Sequence, residues 1–459
     1  MIPAARNVLE AFHWQPQPQA AAWIRGTVDL FQARCPAAKA LAHKLQQETG
    51  TRLLDWIDSI SVPRSDALES ELTGCGFEPS IGCRSWGHPG ALFPRIELHE
   101  ESFQRLVIRV ESVADFLVAH GLNEAAVVEG APLGQLRKAR ICGPDRAELW
   151  VVERHGTRSW QPPHFPPGQP PAVLRHQDVF RRRKRRFARP EDGFEHASTL
   201  IASAAADLGT DWACDLFFAA EREYWTRRNR AARVQKARQD ALGLGWANHD
   251  HHTFRSSREH FSRLIAALEA LGLVCRERFH AGRDAGWGAQ VLEQPTDGIV
   301  VFADVDLAAE EVRGDFAHEP LAPRDRLGTV GLWCKLHGEA FLEAGMHHLE
   351  CCFDFGLAGD QLRKIGIRVM KPFTDLPYLK QAFTEGEIWP VEPGRIETAL
   401  TEGLITAEQA AQFRRFGAIG SHLEILQRDA GYKGFNQAGI NEIIRETDPR
   451  SRRQGSVPR

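Results

Sequence analysis

Three short segments of this sequence set histidines, carboxylates and arginines at spacings that suit metal chemistry. They are His249-Asp250-His251-His252-Thr253-Phe254-Arg255, Met346-His347-His348-Leu349-Glu350, and His422-Leu423-Glu424 with Arg428 beyond it. In a β-strand alternate side chains share a face. His249, His251, Thr253 and Arg255 then point one way, and Asp250, His252 and Phe254 the other. The same alternation groups Met346, His348 and Glu350, and it groups His422, Glu424 and Arg428. Each strand can present one ligand, and two neutral imidazoles with one carboxylate form the facial triad that non-haem iron(II) oxygenases use, with positions left open. A lone histidine on a strand is more often a hydrogen-bonded core residue, so the reading rests on three such strands together.

The neighbours of these residues take bland or supporting roles. His252 and His347 fall on the opposite strand faces and read as packing or supporting residues. His422 shares a face with Glu424, where it either supports or replaces a ligand. Lys371 and Arg428 would add positive charge near an anionic substrate, though such residues are usually solvated at strand ends. Cys351 and Cys352 read as core thiols.

The elements that must position these residues read as strand, helix and three strands from Asn248, in NHDHHTFRS, SREHFSRLIAALEALGL, VCRERFHA, GAQVLEQ and GIVVFADVDL. A comparable series starts at Gly331 with GLWCKLHG and ends on SHLEILQRD. The predicted fold is α+β, with paired βαβββ modules curling into a half-barrel and an N-terminal α+β extension. Residues 246–445 would be the metal-binding unit, 1–95 a helical region, 96–245 an accessory α+β unit and 446–459 a flexible tail. Strand-helix-strand order over 103–155, with a helix and then a strand (WACDLFFAA) over 196–225, suggests a degenerate copy of the βαβββ unit. The prolines near 160–175 read as an extended connector. The basic run Arg181 to Arg186 reads as a solvated face.

Composition bounds these readings. A chain of 459 residues with 43% hydrophobic and 25% charged residues is an ordinary folded protein of more than one unit. Its formal net charge of -3 gives no overall attraction to nucleic acid or to anionic membranes. Nine cysteines without a CxxC pair read as reduced, mostly buried thiols. With no basic start followed by an apolar run, and no long apolar span, the expected location is cytoplasmic.

The segments D-H-H-T-F-R (Asp250 to Arg255), H-H-L-E (His347 to Glu350) and E-I-L-Q-R (Glu424 to Arg428) resemble the metal-bearing motifs of a known family. It is the 2-oxoadipate dioxygenase/decarboxylase (hydroxyglutarate synthase) family of the vicinal oxygen chelate superfamily. The resemblance covers roughly residues 246–445. It implies metal ligation by His251, His348 and Glu424, and a substrate carboxylate held by Arg255. It also implies iron(II) as the cofactor, with a small 2-oxo acid and dioxygen as partners. The superfamily also admits zinc, manganese, nickel or cobalt enzymes of isomerase, glyoxalase or hydrolase type. A non-catalytic small-molecule-binding protein is the alternative outside enzymes.

Overall fold

The computed structural model describes residues 14–80, 85–143, 147–161, 169–281, 285–436, 443 and 446–450. Prolines open α1 (Pro18–Arg34) and α2 (Pro36–Thr49), at positions whose N–H has no helical partner. Gly50 ends α2 at φ 69°, where a Cβ would lie 2.8 Å from the Ala358 backbone.

Two βαβββ modules follow. The first is β1 (Ile57–Pro63), α3 (Asp66–Gly74), β2 (Glu78–Pro79), β3 (Ser85–Gly87) and β4 (Arg95–His99). The second is β5 (Gln104–Arg109), α4 (Val113–Ala119), β6 (Val128–Glu129), β7 (Leu136–Cys142) and β8 (Ala147–Arg154). They make one sheet, ordered β2-β3-β4-β1-β5-β8-β7-β6. A helical layer comes next, formed by α5 (Gln169–Arg182), α6 (Pro190–Leu208), α7 (Thr210–Arg227) and α8 (Arg230–Asp240).

The pattern then repeats. One module is β9 (His249–Arg255), α9 (Phe261–Ala270), β10 (Val274–His280), β11 (Trp287–Glu293) and β12 (Val300–Asp306). After α10 (Thr329–His337) comes its partner, with β13 (His348–Cys352), α11 (Phe355–Lys364), β14 (Thr374–Leu376) and β15 (Leu379–Phe383). It closes with β16 (Glu387–Trp389), α12 (Pro393–Thr401), α13 (Ala407–Phe416) and β17 (Ala418–Arg428). The order is β10-β11-β12-β9-β13-β17-β15-β14, with β16 paired to β17. In both sheets the first strand of each module lies parallel to its last, and the two first strands pair antiparallel. The fold is α+β, with paired βαβββ modules and a curled half-barrel sheet.

Each sheet buries one face under its own helices. Leu349, Cys351, Leu423 and Ile425 share a core with Leu264 and Leu268 of α9 and Leu362 of α11. Ile60, Leu106, Leu149 and Val151 do the same with Phe31, Leu72 and Phe116. The opposite face of the second sheet carries the site.

Several sequence expectations change here. The stretch 103–155 does form a βαβββ module, but its partner module lies before it, from Ile57 to His99, and not at 196–225, because β1 begins inside the stretch read as helical. WACDLFFAA is part of α7, buried on most sides, and a short apolar run does not separate strand from buried helix. GLWCKLH is likewise helix α10, so the last module starts at β13. Within the basic run, Arg183 and Arg185 are not solvated. Both are buried and pair with Glu221 at 3.0 and 2.6 Å. Of the proline-rich connector, residues 162–168 lie outside the described residues, and 169–175 open helix α5 instead of running extended, since prolines are tolerated in a first helical turn; the end of the tail also lies outside the described residues. Of the expected flexible tail, Thr447 is buried, and Asp448 accepts a hydrogen bond from Thr329 at 2.6 Å. No helix among the described residues is long and apolar enough to cross a membrane.

Candidate metal centre

A bulge shapes the first strand of the site. His251 pairs with Glu350 and His249 with Cys351, which leaves Asp250 as the extra residue on β9. The bulge turns His249 off the concave face, against the prediction. Its Nδ1 meets the Trp246 carbonyl oxygen at 2.8 Å and its ring meets His252 at 5.1 Å. Burial, reinforced by the Arg222 charge, lowers its pKa to about 3, so it is neutral. His251, Thr253 and Arg255 stay on the concave face and line its cavity.

The parallel pair β13 and β17 sets Glu350 beside Glu424 and His348 beside His422 in register. Nε2 of His348 lies 3.1 Å from Glu424 Oε2 and 2.8 Å from Thr253 Oγ1. His251, His348 and Glu424 are all buried, and one ligand atom from each lies within 4.8 Å of the other two. The structure therefore brings together the three residues singled out as ligands.

Other side chains hold these three in place. Asp250 Oδ2 is 3.4 Å from His251 Nδ1, and Arg428 grips the same carboxylate with bonds of 2.8 and 2.9 Å. Glu350 Oε1 is 2.9 Å from that nitrogen but accepts no hydrogen bond. Gln381 donates to Glu350 at 2.8 Å and to Glu424 at 3.1 Å, tying the two carboxyls together. On the other side, His347 and His348 meet through their Nδ1 atoms at 2.9 Å.

The electrostatics suit a cation. Burial, then the neighbouring Glu424, pushes Glu350 well above the usual carboxyl range, and burial raises Glu424 too. Burial alone would lower His251, but the Glu350 and Asp250 carboxylates outweigh it and raise the ring to about 10. Burial and the His251 charge hold His348 well below its ordinary value. Three carboxyl groups, Glu350 and Glu424 buried and Asp250 partly so, thus crowd around His251. A divalent ion would satisfy that field better than a proton does, and imidazole with carboxylate is a donor set that iron(II), zinc, manganese, nickel and cobalt accept. On this chemistry the residues fit a metal.

The triad opens onto a cavity of about 90 Å³ walled by Phe279, Trp287, Phe302, Phe373, Phe383 and Phe435. Arg255 lies in its lining, 5% exposed, with Nε and Nη1 lacking a hydrogen-bond partner among the described residues. Asp304 is 4.0 Å away, and burial raises it to about 7 despite that guanidinium.

The remaining predicted residues land elsewhere. His252 packs behind the sheet against Phe218, with Arg222 3.2 Å from its Nε2. His347 precedes β13 and lines the cavity instead of pointing away from it. His422 is buried beside Phe383 and bonds the Thr384 carbonyl oxygen at 2.9 Å, outside the cavity lining. Arg428 holds Asp250 and lines a separate cavity of about 160 Å³ behind the site, so it is not a substrate-facing charge. Lys371 is exposed and outside the cavity lining. Sequence reasoning missed Asp250, Gln381 and Asp304, and it gave no role to Glu350. Alternation in L-K-Q-A-F was the one signal that pointed to Gln381.

No family model and no curated protein matches this chain. Among solved structures it is similar to a mutant of 4-hydroxymandelate synthase from Streptomyces coelicolor, at 11% identity over 87% of this chain and 97% of that one, TM-score 0.25. It is also similar to methylmalonyl-CoA epimerase from Mycobacterium tuberculosis, at 12% identity over 40% of this chain and 88% of that one, TM-score 0.23. A catechol 2,3-dioxygenase matches at 11% identity over 83% of this chain and 90% of that one, TM-score 0.19. Overlaps this loose carry no chemistry, which rests on the residues themselves.

Proposed function

We propose that this chain is a metal-dependent enzyme in which His251, His348 and Glu424 hold one divalent ion, iron(II) by preference. Its reaction is the dioxygen-dependent oxidation and decarboxylation of a small 2-oxo acid. The observation that carries this reading is the convergence of two buried imidazoles and a carboxylate on a cavity that also contains Arg255, whose Nε and Nη1 have no hydrogen-bond partner among the described residues. Bound there, the ion would supply Lewis acidity toward vicinal substrate oxygens and electrons toward dioxygen.

The protein's own part is binding and placement. Nε and Nη1 of Arg255 are free to donate to a carboxylate, and each such charge-assisted bond contributes about 1.5–3 kcal/mol. Asp304, raised to about 7, is partly protonated at neutral pH and leaves part of the Arg255 charge to the substrate. The phenyl walls exclude water, which strengthens both interactions. Oxygen uptake by iron(II)-loaded protein across a panel of 2-oxo acids tests this. Uptake coupled to carbon dioxide release supports the reading, and its absence with every acid defeats it.

A second reading keeps the ion and omits dioxygen, making the protein an isomerase or epimerase. It is favoured by Asp304, a buried carboxyl in the cavity lining that burial raises to about 7, the range suited to taking up and returning a substrate proton. Solvent deuterium incorporation into substrate without oxygen uptake would select it.

A further inference from the structure

His347 does more than pack beside the triad. Its Nδ1 and that of His348 are 2.9 Å apart, a contact that takes one proton. If His348 ligates through Nε2, as proposed above, its own Nδ1 must carry the hydrogen. Nδ1 of His347 is then the acceptor, and the proton on the His347 ring sits on Nε2. That Nε2 is buried and has no hydrogen-bond partner among the described residues, while His347 itself is 2% exposed.

The same cavity wall holds Arg255, whose Nε and Nη1 are equally buried and without a hydrogen-bond partner among the described residues, Asp304 standing off at 4.0 Å from Nε. Three N–H groups from two residues therefore line one cavity with no acceptor assigned to them. Buried donors left this way are costly, and the group that satisfies all of them is an oxyanion.

We propose that His347 is a specificity-determining residue with two faces. Its Nε2–H donates, together with Arg255, to an oxygen of the substrate's anionic group, and its Nδ1 fixes the tautomer in which His348 can ligate. The inference rests on the metal reading above and adds to it a second donor in the anion site. It also sets a requirement on the substrate, whose anionic group must reach Arg255 and His347 together.

Two variants separate the faces, because the asparagine amide overlays Nδ1 of a histidine and the glutamine amide overlays Nε2. His347→Asn keeps an acceptor for His348 and loses the distal donor. His347→Gln keeps the distal donor and loses that acceptor. The probes are cobalt(II), titrated against a chromogenic chelator, and pyruvate and 2-oxoglutarate, followed by the visible spectrum of the cobalt protein.

His347→Asn should bind cobalt(II) within about threefold of wild type and lose about 10- to 100-fold in affinity for the acids. His347→Gln should show the reverse, with cobalt(II) binding weakened about 10- to 100-fold. Parallel losses in both variants, or no loss in either, overturn the proposal. Wild-type protein that takes up cobalt(II) but binds neither acid also overturns it. Wild-type protein that takes up no cobalt(II) defeats the metal reading itself, which distinguishes the two failures. In wild-type protein loaded with zinc(II), nitrogen-15 histidine spectra must place the His347 proton on Nε2, a result that needs no variant to fold.

Discussion

The sheet of residues 57–154 and the sheet of residues 249–428 share one strand order and one set of parallel and antiparallel pairings, yet their concave faces have opposite characters. On β5 of the first, Arg105 bonds Glu148 at 2.9 Å and lies within 5.0–5.3 Å of the rings of Phe103, Trp150 and Trp160. Lys138 sits 4.0 Å over Trp160 and bonds its carbonyl oxygen at 3.0 Å. Each charge there has a partner. On the second face, Arg255 and the two histidines and glutamate of the triad line a cavity, where Nε and Nη1 of Arg255 and Nε2 of His347 have no hydrogen-bond partner among the described residues. The architecture tolerates either filling, so it is the side chains of one face, and not the topology, that decide chemistry. Paired ions and rings make a packing surface, and unpaired ones make a binding surface.

The sharpest way to break that contrast is at the support behind the triad. Asp250→Asn should weaken metal binding about 10- to 100-fold, because the carboxylate that Arg428 holds orients His251. Chelator competition measures it, and Asp250→Glu should recover part of the loss. Matching arginines come next. Arg255→Ala should raise KM for a 2-oxo acid about 10- to 100-fold with metal content unchanged, since a buried charged bond of about 1.5–3 kcal/mol is lost. Arg105→Ala should leave kinetics alone and lower unfolding free energy by about 1–3 kcal/mol in urea titrations, through the lost ion pair and ring contacts. If the two arginines exchanged these effects, the assignment of binding and packing faces would be reversed.

The smallest effect concerns pH. His155, just beyond β8, is held by Asp215 at 2.7 Å and Glu153 at 3.1 Å. Burial lowers its pKa, but these carboxylates outweigh burial and raise it from 6.5 to about 10. A raised value means the folded state binds the proton more tightly. The stabilisation is complete below about pH 6.5 and fades as pH rises through 10. His155→Gln should therefore show a shallower loss of stability than wild type between those pH values, read from urea midpoints.

How much of this was legible in the sequence follows from where periodicity survives. Alternation of histidine and glutamate with apolar residues gave β9, β13 and β17, and with them the triad. β2, β3 and β6 are only two or three residues long, and β1 buries Ser59 and Ser61 where an apolar pattern would be expected, so the module from Ile57 to His99 is hidden in the sequence, whereas β5, α4, β7 and β8 follow the expected strand-helix-strand order. Asp250 and His249 were misplaced because a bulge shifts the alternation and leaves no mark in residue types. His347 was set on the wrong face because strand β13 starts one residue after it. Glu221, which draws Arg183 and Arg185 inward, lies far along the chain from the basic run it neutralises.

Metal stoichiometry of anaerobically purified protein tests the central claim most directly, compared between wild type and the single variants His251→Ala, His348→Ala and Glu424→Ala. The account predicts one tightly held divalent ion per wild-type chain and none in any variant, with far-UV circular dichroism unchanged. A wild-type chain that holds no ion after iron(II) loading, or a variant that keeps its full complement, would contradict it.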